Sequence, residues 1–294
     1  MKKYGLVFSG GGGRGAYQIG AWRAIRELGI EKYIAGVSGA SVGSLNAALF
    51  LNGDLGKAED VWFNITPSRV LSHGDNYKSV FREDNRLDFD AVISNINNAI
   101  ETLDNTLNDY LDDGKHTSMG GAFTTAGITD IIEKTLDFEK VSSCGKSFYV
   151  SVVNMSVNLL EYIQLSGASQ KKITSFLLAS AAMPVVYESQ KIGVCEYCDG
   201  GLKDNIPVKP LYDEGIRDFI VIHLKTLSPS VAGNFPDAEF VEIKPDDEYT
   251  GIIDGTLDFS SEGAQRRFAA GYLDTYAALT PLADMLDAEN ESTL

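Results

Sequence analysis

Apolar residues follow two alternating rhythms along the first fifty positions. Tyr4-Gly5-Leu6-Val7-Phe8 is a short, nearly continuous apolar run and reads as a first strand. Ile19, Trp22, Ile25 and Leu28 then recur at three-residue spacing with Arg23, Arg26 and Glu27 between them, which predicts an amphipathic helix ended by Gly29. A second apolar run, Tyr33 to Val37, leads through a glycine-bounded turn into a helical segment, Leu45 to Leu51. Strand, helix, strand, turn and helix in this order predict an α/β fold with a parallel sheet and right-handed crossovers.

The pattern then changes. From about Thr66 to Thr125 the chain is rich in Asn, Asp and Ser and reads as an insertion into the α/β core. Within it Phe89, Ile93, Ile96, Ile100, Leu103, Leu107 and Tyr110 form one narrow apolar stripe. The stripe predicts a helix over about 87–111 that serves as a core cap, a lid or a dimer seam. Ile128–Leu136 reads as a helix, Ser147–Val153 as a strand, and Asn158–Leu165 as its hairpin partner. Ser169–Ala182 is a helix stopped by Pro184, Val185–Val194 a further strand, and Phe219–Leu224 a buried one. A last helix runs from about Ser260 to Leu286, with roughly the final eight residues frayed.

Three places on this scaffold carry chemistry. Gly39-Ala40-Ser41-Val42-Gly43 sits where a strand turns into a helix, the setting of a nucleophile elbow. Ser41 is its candidate nucleophile, with Gly39 and Gly43 leaving room where strand and helix approach closely. Ser38 overlaps it but has Ala40 in place of the second glycine. The tract Gly10-Gly11-Gly12-Gly13-Arg14-Gly15 also follows a strand and precedes a helix. Gly10, Gly12 and Gly15 fit a dinucleotide fingerprint, but the second strand ends without the carboxylate that would hold a ribose. The same tract suits an oxyanion hole, in which successive backbone amides converge on a developing charge and Arg14 adds a positive one or anchors the loop. Asp199 ends an apolar stretch ahead of Gly200 and Gly201, so a carboxylate can be held rigidly there; an ordinary Asp-Gly turn is the alternative.

Composition narrows the choices. A formal charge of −16 repels nucleic acid and anionic bilayers, which leaves at most peripheral contact with neutral or zwitterionic lipid, or single dispersed molecules, as partners. Cys144, Cys195 and Cys198 are too few for a disulfide framework, and the Cys195/Cys198 pair lacks the second pair or His cluster of a metal site. The apolar run after Met1-Lys2-Lys3 is too short for a secretory leader, and no stretch is long enough for a membrane span. These features predict a cytoplasmic location.

The glycine tract with Arg14, the Ser41 elbow and the Asp199-Gly200-Gly201 turn, in that order, resemble the patatin-like phospholipases. Ala179-Ser180-Ala181-Ala182-Met183-Pro184 and Asn205-Ile206-Pro207-Val208 look like the same family, and the similarity covers about residues 4–52 and 145–225. The resemblance implies one domain over 1–294, a three-layer α/β/α sandwich with a mostly parallel sheet, carrying the helical insertion at about 66–125. It implies a serine acyl hydrolase that cleaves lipid esters, phospholipid or lysophospholipid, through a Ser41–Asp199 dyad without cofactor or metal. His73 and His116 lie in the polar insertion; a triad would have to use His223. A nucleotide-binding oxidoreductase using Gly10–Gly15, and a binding protein with a relict site, are the alternatives.

Overall fold

A computed structural model describes residues 2–73, 123–184, 186–246, 255–256 and 258–291. The amphipathic stripe at 87–111 therefore lies outside the described residues. Strands β1 (Tyr4–Phe8), β2 (Ile34–Gly39), β5 (Ser147–Asn154), β9 (Asp218–Ile222) and β10 (Glu239–Ile243) make a parallel block in the order β10-β9-β1-β2-β5. Beyond β5 the pairing turns antiparallel: β6 (Leu159–Gln164) and β8 (Cys195–Asp199) both pair with β5, and β7 (Gln190–Ile192) pairs with β8. A two-residue ladder joins β3 (Ser72–His73) to β4 (Phe123–Thr124) at the two ends of the undescribed stretch.

Side-chain alternation along β1 assigns the two faces. Leu6 and Phe8 enter the larger core, shared with helices α1 (Ala16–Glu27), α2 (Val42–Asn52) and α3 (Leu55–Phe63). Val7 enters a smaller one with Phe219, Val221 and Leu211 of a short helix. The sheet is thus covered on both faces, which is why its central strands read as unbroken apolar runs. On the larger face α4 (Pro67–Val70), α5 (Ala126–Thr135), α6 (Phe138–Ser143) and α7 (Gln170–Ala181) complete the layer; α8 (Lys209–Asp213) is the short helix opposite. A long C-terminal helix, α9 (Ser261–Glu291), packs along α1.

Two expectations need correction, and one strand had gone unread. The stretch 185–194 is not one strand: Gly193, at φ 66°, makes the turn of the β7–β8 hairpin, so Asp199 ends the second arm. Strand β10 was not legible, because only Phe240, Val241 and Ile243 of its five residues are apolar. The last helix continues to Glu291 past Pro281 instead of fraying after Leu286.

Candidate active site

The elbow is built by close approach. Ser41 has φ 53° and ψ −131°, a region that side-chain-bearing residues rarely occupy and that persists only when neighbours enforce it. A Cβ on Gly43 would collide with the carbonyl oxygens of Phe8 and Ser9 at the end of β1, and one on Gly39 with the Gly43 backbone. With both glycines in place, α2 starts directly over the sheet. The Ser41 N–H donates to Ser180 Oγ of α7 at 3.0 Å, and the Ser41 carbonyl accepts from Ser44 N–H at 2.9 Å and Ser44 Oγ at 2.6 Å. Ser41 is therefore held from both sides while its hydroxyl stays at the positive end of α2.

Asp199 reaches the same place from β8. Its Oδ1 accepts the Gly201 N–H at 2.7 Å, and its carboxylate interacts with the Ser41 side chain. A side chain on Gly200 would strike the Ser151 backbone of β5, so only glycine lets this turn lie flat against the sheet. Burial dominates the electrostatics: desolvation pushes the Asp199 carboxyl up to about 6, against the smaller opposing pulls of Ser41 and the Gly201 amide.

Gly10, Gly11 and Gly12 line the same cavity as Ser41 and Asp199, with Gly12 at φ 59°. Gly13 packs against Asp258, and Gly15 against the Trp62 ring. The Arg14 side chain is buried, donates to Thr256 Oγ1 at 2.7 Å and packs on Gly255; it anchors those residues behind the loop and is not part of the cavity wall. The cavity holds about 350 Å³. Apart from the glycine loop and the two reactive residues, its wall is mostly apolar, with Leu45, Leu49, Val61, Ile128, Ile132 and Phe259 among its residues.

His223 is fully buried beside Glu242, its Nε2 2.8 Å from Oε2, its Nδ1 is without a partner among the described residues, and it does not line the cavity. Desolvation lowers its pKa, which keeps the ring neutral. Cys198 is buried in β8, with its thiol pushed up to about 12 by burial, and no cluster of metal-ligating side chains exists among the described residues.

Three supporting residues had no role legible in the sequence. Ser180 holds the elbow. Asn205 clasps the glycine loop: its carbonyl accepts the Gly10 N–H and its Nδ2 donates to the Gly10 carbonyl, each at 3.2 Å. Asn46 of α2 donates to the Gly15 carbonyl at 2.9 Å and to Gln18 Oε1 at 2.8 Å, and accepts from Trp62 Nε1 at 3.0 Å. Their partners lie across the fold, at separations that no local pattern reports.

A curated relative, Lysophospholipase NTE1 of Cryptococcus neoformans, is 22% identical over 237 residues, which is 81% of this chain and 12% of the relative. The chain thus spans about 12% of the length of the curated relatives it matches. The solved structure of VipD from Legionella pneumophila aligns with a TM-score of 0.53 at 16% identity, covering 95% of this chain and 67% of that one, a likeness of fold. The sequence model of the patatin-like phospholipases matches residues 6–212, the span that holds the glycine loop, the elbow and the Asp199 turn, and the chain belongs to that family.

Proposed function

We propose that this chain is a serine acyl hydrolase that cleaves the carboxylic ester of a lipid, with Ser41 as nucleophile and Asp199 as its base. The observation that carries the reading is the strained Ser41 facing a buried, hydrogen-bonded Asp199 in one cavity with the Gly10–Gly12 backbone and an apolar wall.

In the proposed cycle Asp199 accepts the Ser41 proton as Oγ attacks the ester carbonyl. The resulting oxyanion is stabilised by the amides of Gly11 and Gly12, since that of Gly10 already donates to the Asn205 carbonyl, and by the positive end of α2. Collapse expels the alcohol, which takes the proton back from Asp199, and leaves an acyl-Ser41. A water that gives its proton to Asp199 then attacks the acyl carbon, and the free acid leaves as Ser41 is reprotonated. An aspartate near 6 is a better base than an exposed one near 3.9, so burial makes the dyad workable without histidine.

The cavity lies at the small end of the range for ligand sites, which suits one acyl chain. A lysophospholipid, with its single chain, is accordingly the substrate class favoured here, in keeping with the relative's name. Lys225 lines the cavity and offers a cation to a phosphate head group. The test is intact-mass analysis after treatment with a fluorophosphonate, with peptide mapping. One adduct on Ser41, absent in Ser41→Ala, is expected. An unmodified Ser41 in folded protein, or an adduct elsewhere, refutes the assignment.

A further inference from the structure

Among the described residues, eight large apolar side chains are exposed, and five of them, Val157, Leu159, Val194, Leu202 and Leu227, lie beyond the carboxyl edge of the parallel strands. That is the edge on which Ser41 and the glycine loop sit. The other three, Leu273, Tyr276 and Met285, are on α9.

Strand register places the five around the cavity mouth. Val150 of β5 pairs with Gly39 at the end of β2, and β5 runs on to Asn154, four residues or roughly 13 Å further. The β5–β6 tip, with Val157 and Leu159 each 58% exposed, thus stands above the nucleophile. The β7–β8 tip, with Val194 95% exposed, is tied to it: Met155 N–H donates to the Glu196 carbonyl at 2.8 Å, and Glu196 N–H to Ser156 Oγ at 3.0 Å. Lys203 Nζ donates to the Asn158 carbonyl at 2.5 Å, which brings the neighbouring Leu202 beside that tip. Leu202 is both exposed and part of the cavity wall. Across the mouth, Leu227 is 87% exposed two residues after the cavity-lining Lys225.

We propose that these side chains form a docking rim that seats the cavity mouth on a zwitterionic lipid bilayer. The inference rests on the acyl-hydrolase reading for its purpose and adds the form in which substrate is met. Two observations choose the occupant. The rim is continuous through Leu202 with an apolar cavity, so a lipid chain passes from bilayer to cavity wall without crossing water. At −16 the chain gains nothing from anionic lipid, so the attraction must come from apolar insertion, for which hairpin tips are suited.

The experiment uses the full chain carrying Ser41→Ala, so that vesicles stay intact, and measures co-sedimentation with phosphatidylcholine vesicles. Adding Val157→Asp, Val194→Asp and Leu227→Asp together is expected to weaken partitioning by about tenfold or more. Leu273→Asp, an equally apolar exposed site on α9, is expected to change it less than twofold. Equal sedimentation of the triple variant, failure of the parent to sediment, an equal loss in Leu273→Asp, or preference for phosphatidylglycerol-rich vesicles overturns the proposal. Loss of self-association in the triple variant with sedimentation unchanged points to a second copy as occupant and also overturns it. In the Ser41 background, the three rim substitutions are expected to leave hydrolysis of a dissolved short-chain ester unchanged. Absent esterase activity with the sedimentation pattern intact sinks the hydrolase reading and leaves the rim standing.

Discussion

At the scale of single residues, Asp199 ties reactivity to stability. Its carboxyl sits near 6 in the folded chain, against 3.8 for a free one, so the folded state holds that proton more tightly than the unfolded state. The sign follows: this group leaves stability untouched below about pH 4, and lowers it as pH rises through 6. Above that the penalty is on the order of 3 kcal/mol. Asp199→Asn keeps an acceptor for the Gly201 amide and removes the charge, so it is expected to unfold at higher temperature than the parent at pH 8. Near pH 3 the two should melt alike. The same substitution is expected to abolish ester turnover, and the parent's kcat/KM should rise with pH along a limb centred near 6. Scanning calorimetry at both pH values and a pH–rate profile check this; a variant no more stable at pH 8 than the parent contradicts the buried-charge account. The identities of Ser41 and Asp199 were legible because each sits in a short glycine-bounded motif. The elevated pKa was not, since it arises from burial that only the assembled fold supplies.

At the scale of elements, the glycine loop is positioned by a polar network under it. Trp62 Nε1 can only donate, so Asn46 must turn its oxygen toward Trp62 and its amide toward Gly15 and Gln18. Gln18 passes the connection on, donating to the carbonyls of Ser9 at 2.8 Å and Ile222 at 3.3 Å. Asn46, Gln18 and Ser9 are all essentially inaccessible to solvent, so each bond lost leaves an unpaired group in a dry interior. Asn46→Ala orphans three partners and is expected to cost on the order of 3 kcal/mol in urea unfolding. It should also lower kcat more than KM, because the loop's aim toward the transition state suffers more than ground-state binding. Unchanged stability would mean the network carries no energy. The sequence showed α1 and α2 through their apolar spacing, yet Gln18 and Asn46 read as ordinary polar positions on those helices. The strand-like pattern near 185–194 was similarly silent about the Gly193 turn, where one left-handed glycine replaces a continuous strand with a hairpin.

At the scale of the whole molecule, the helix outside the family match holds the part inside it. A side chain at Gly20 of α1 would collide with the Phe268 carbonyl of α9, and one at Gly271 with the Tyr17 carbonyl. The two helices therefore touch backbone to backbone through reciprocal glycines. Polar pairs frame that contact: Tyr17 donates to Asp274 at 2.7 Å, and Tyr272 to Glu27 at 2.8 Å. Arg267 of α9, almost fully buried, pairs with Asp258 at 2.7 Å and donates to the Gly13 carbonyl at 3.3 Å, so the C-terminal helix also braces the glycine loop from behind. The apolar spacing of α9 announced a helix but not where it docks, because the matching glycines lie some 250 residues apart in the chain. Gly271→Val forces the helices apart and is expected to cost about 3 kcal/mol. Gly263→Ala, near the start of α9, is not the matching control, since a side chain there strikes Asp258. Gly233→Ala, which meets open space, is. Thermal melts of both variants check the pair: Gly271→Val should melt several degrees lower and lose esterase rate in the folded fraction, and Gly233→Ala should do neither. Equal melting of Gly271→Val and parent would mean that α9 does not rest on α1 in solution, and that the brace on Gly13 goes with it.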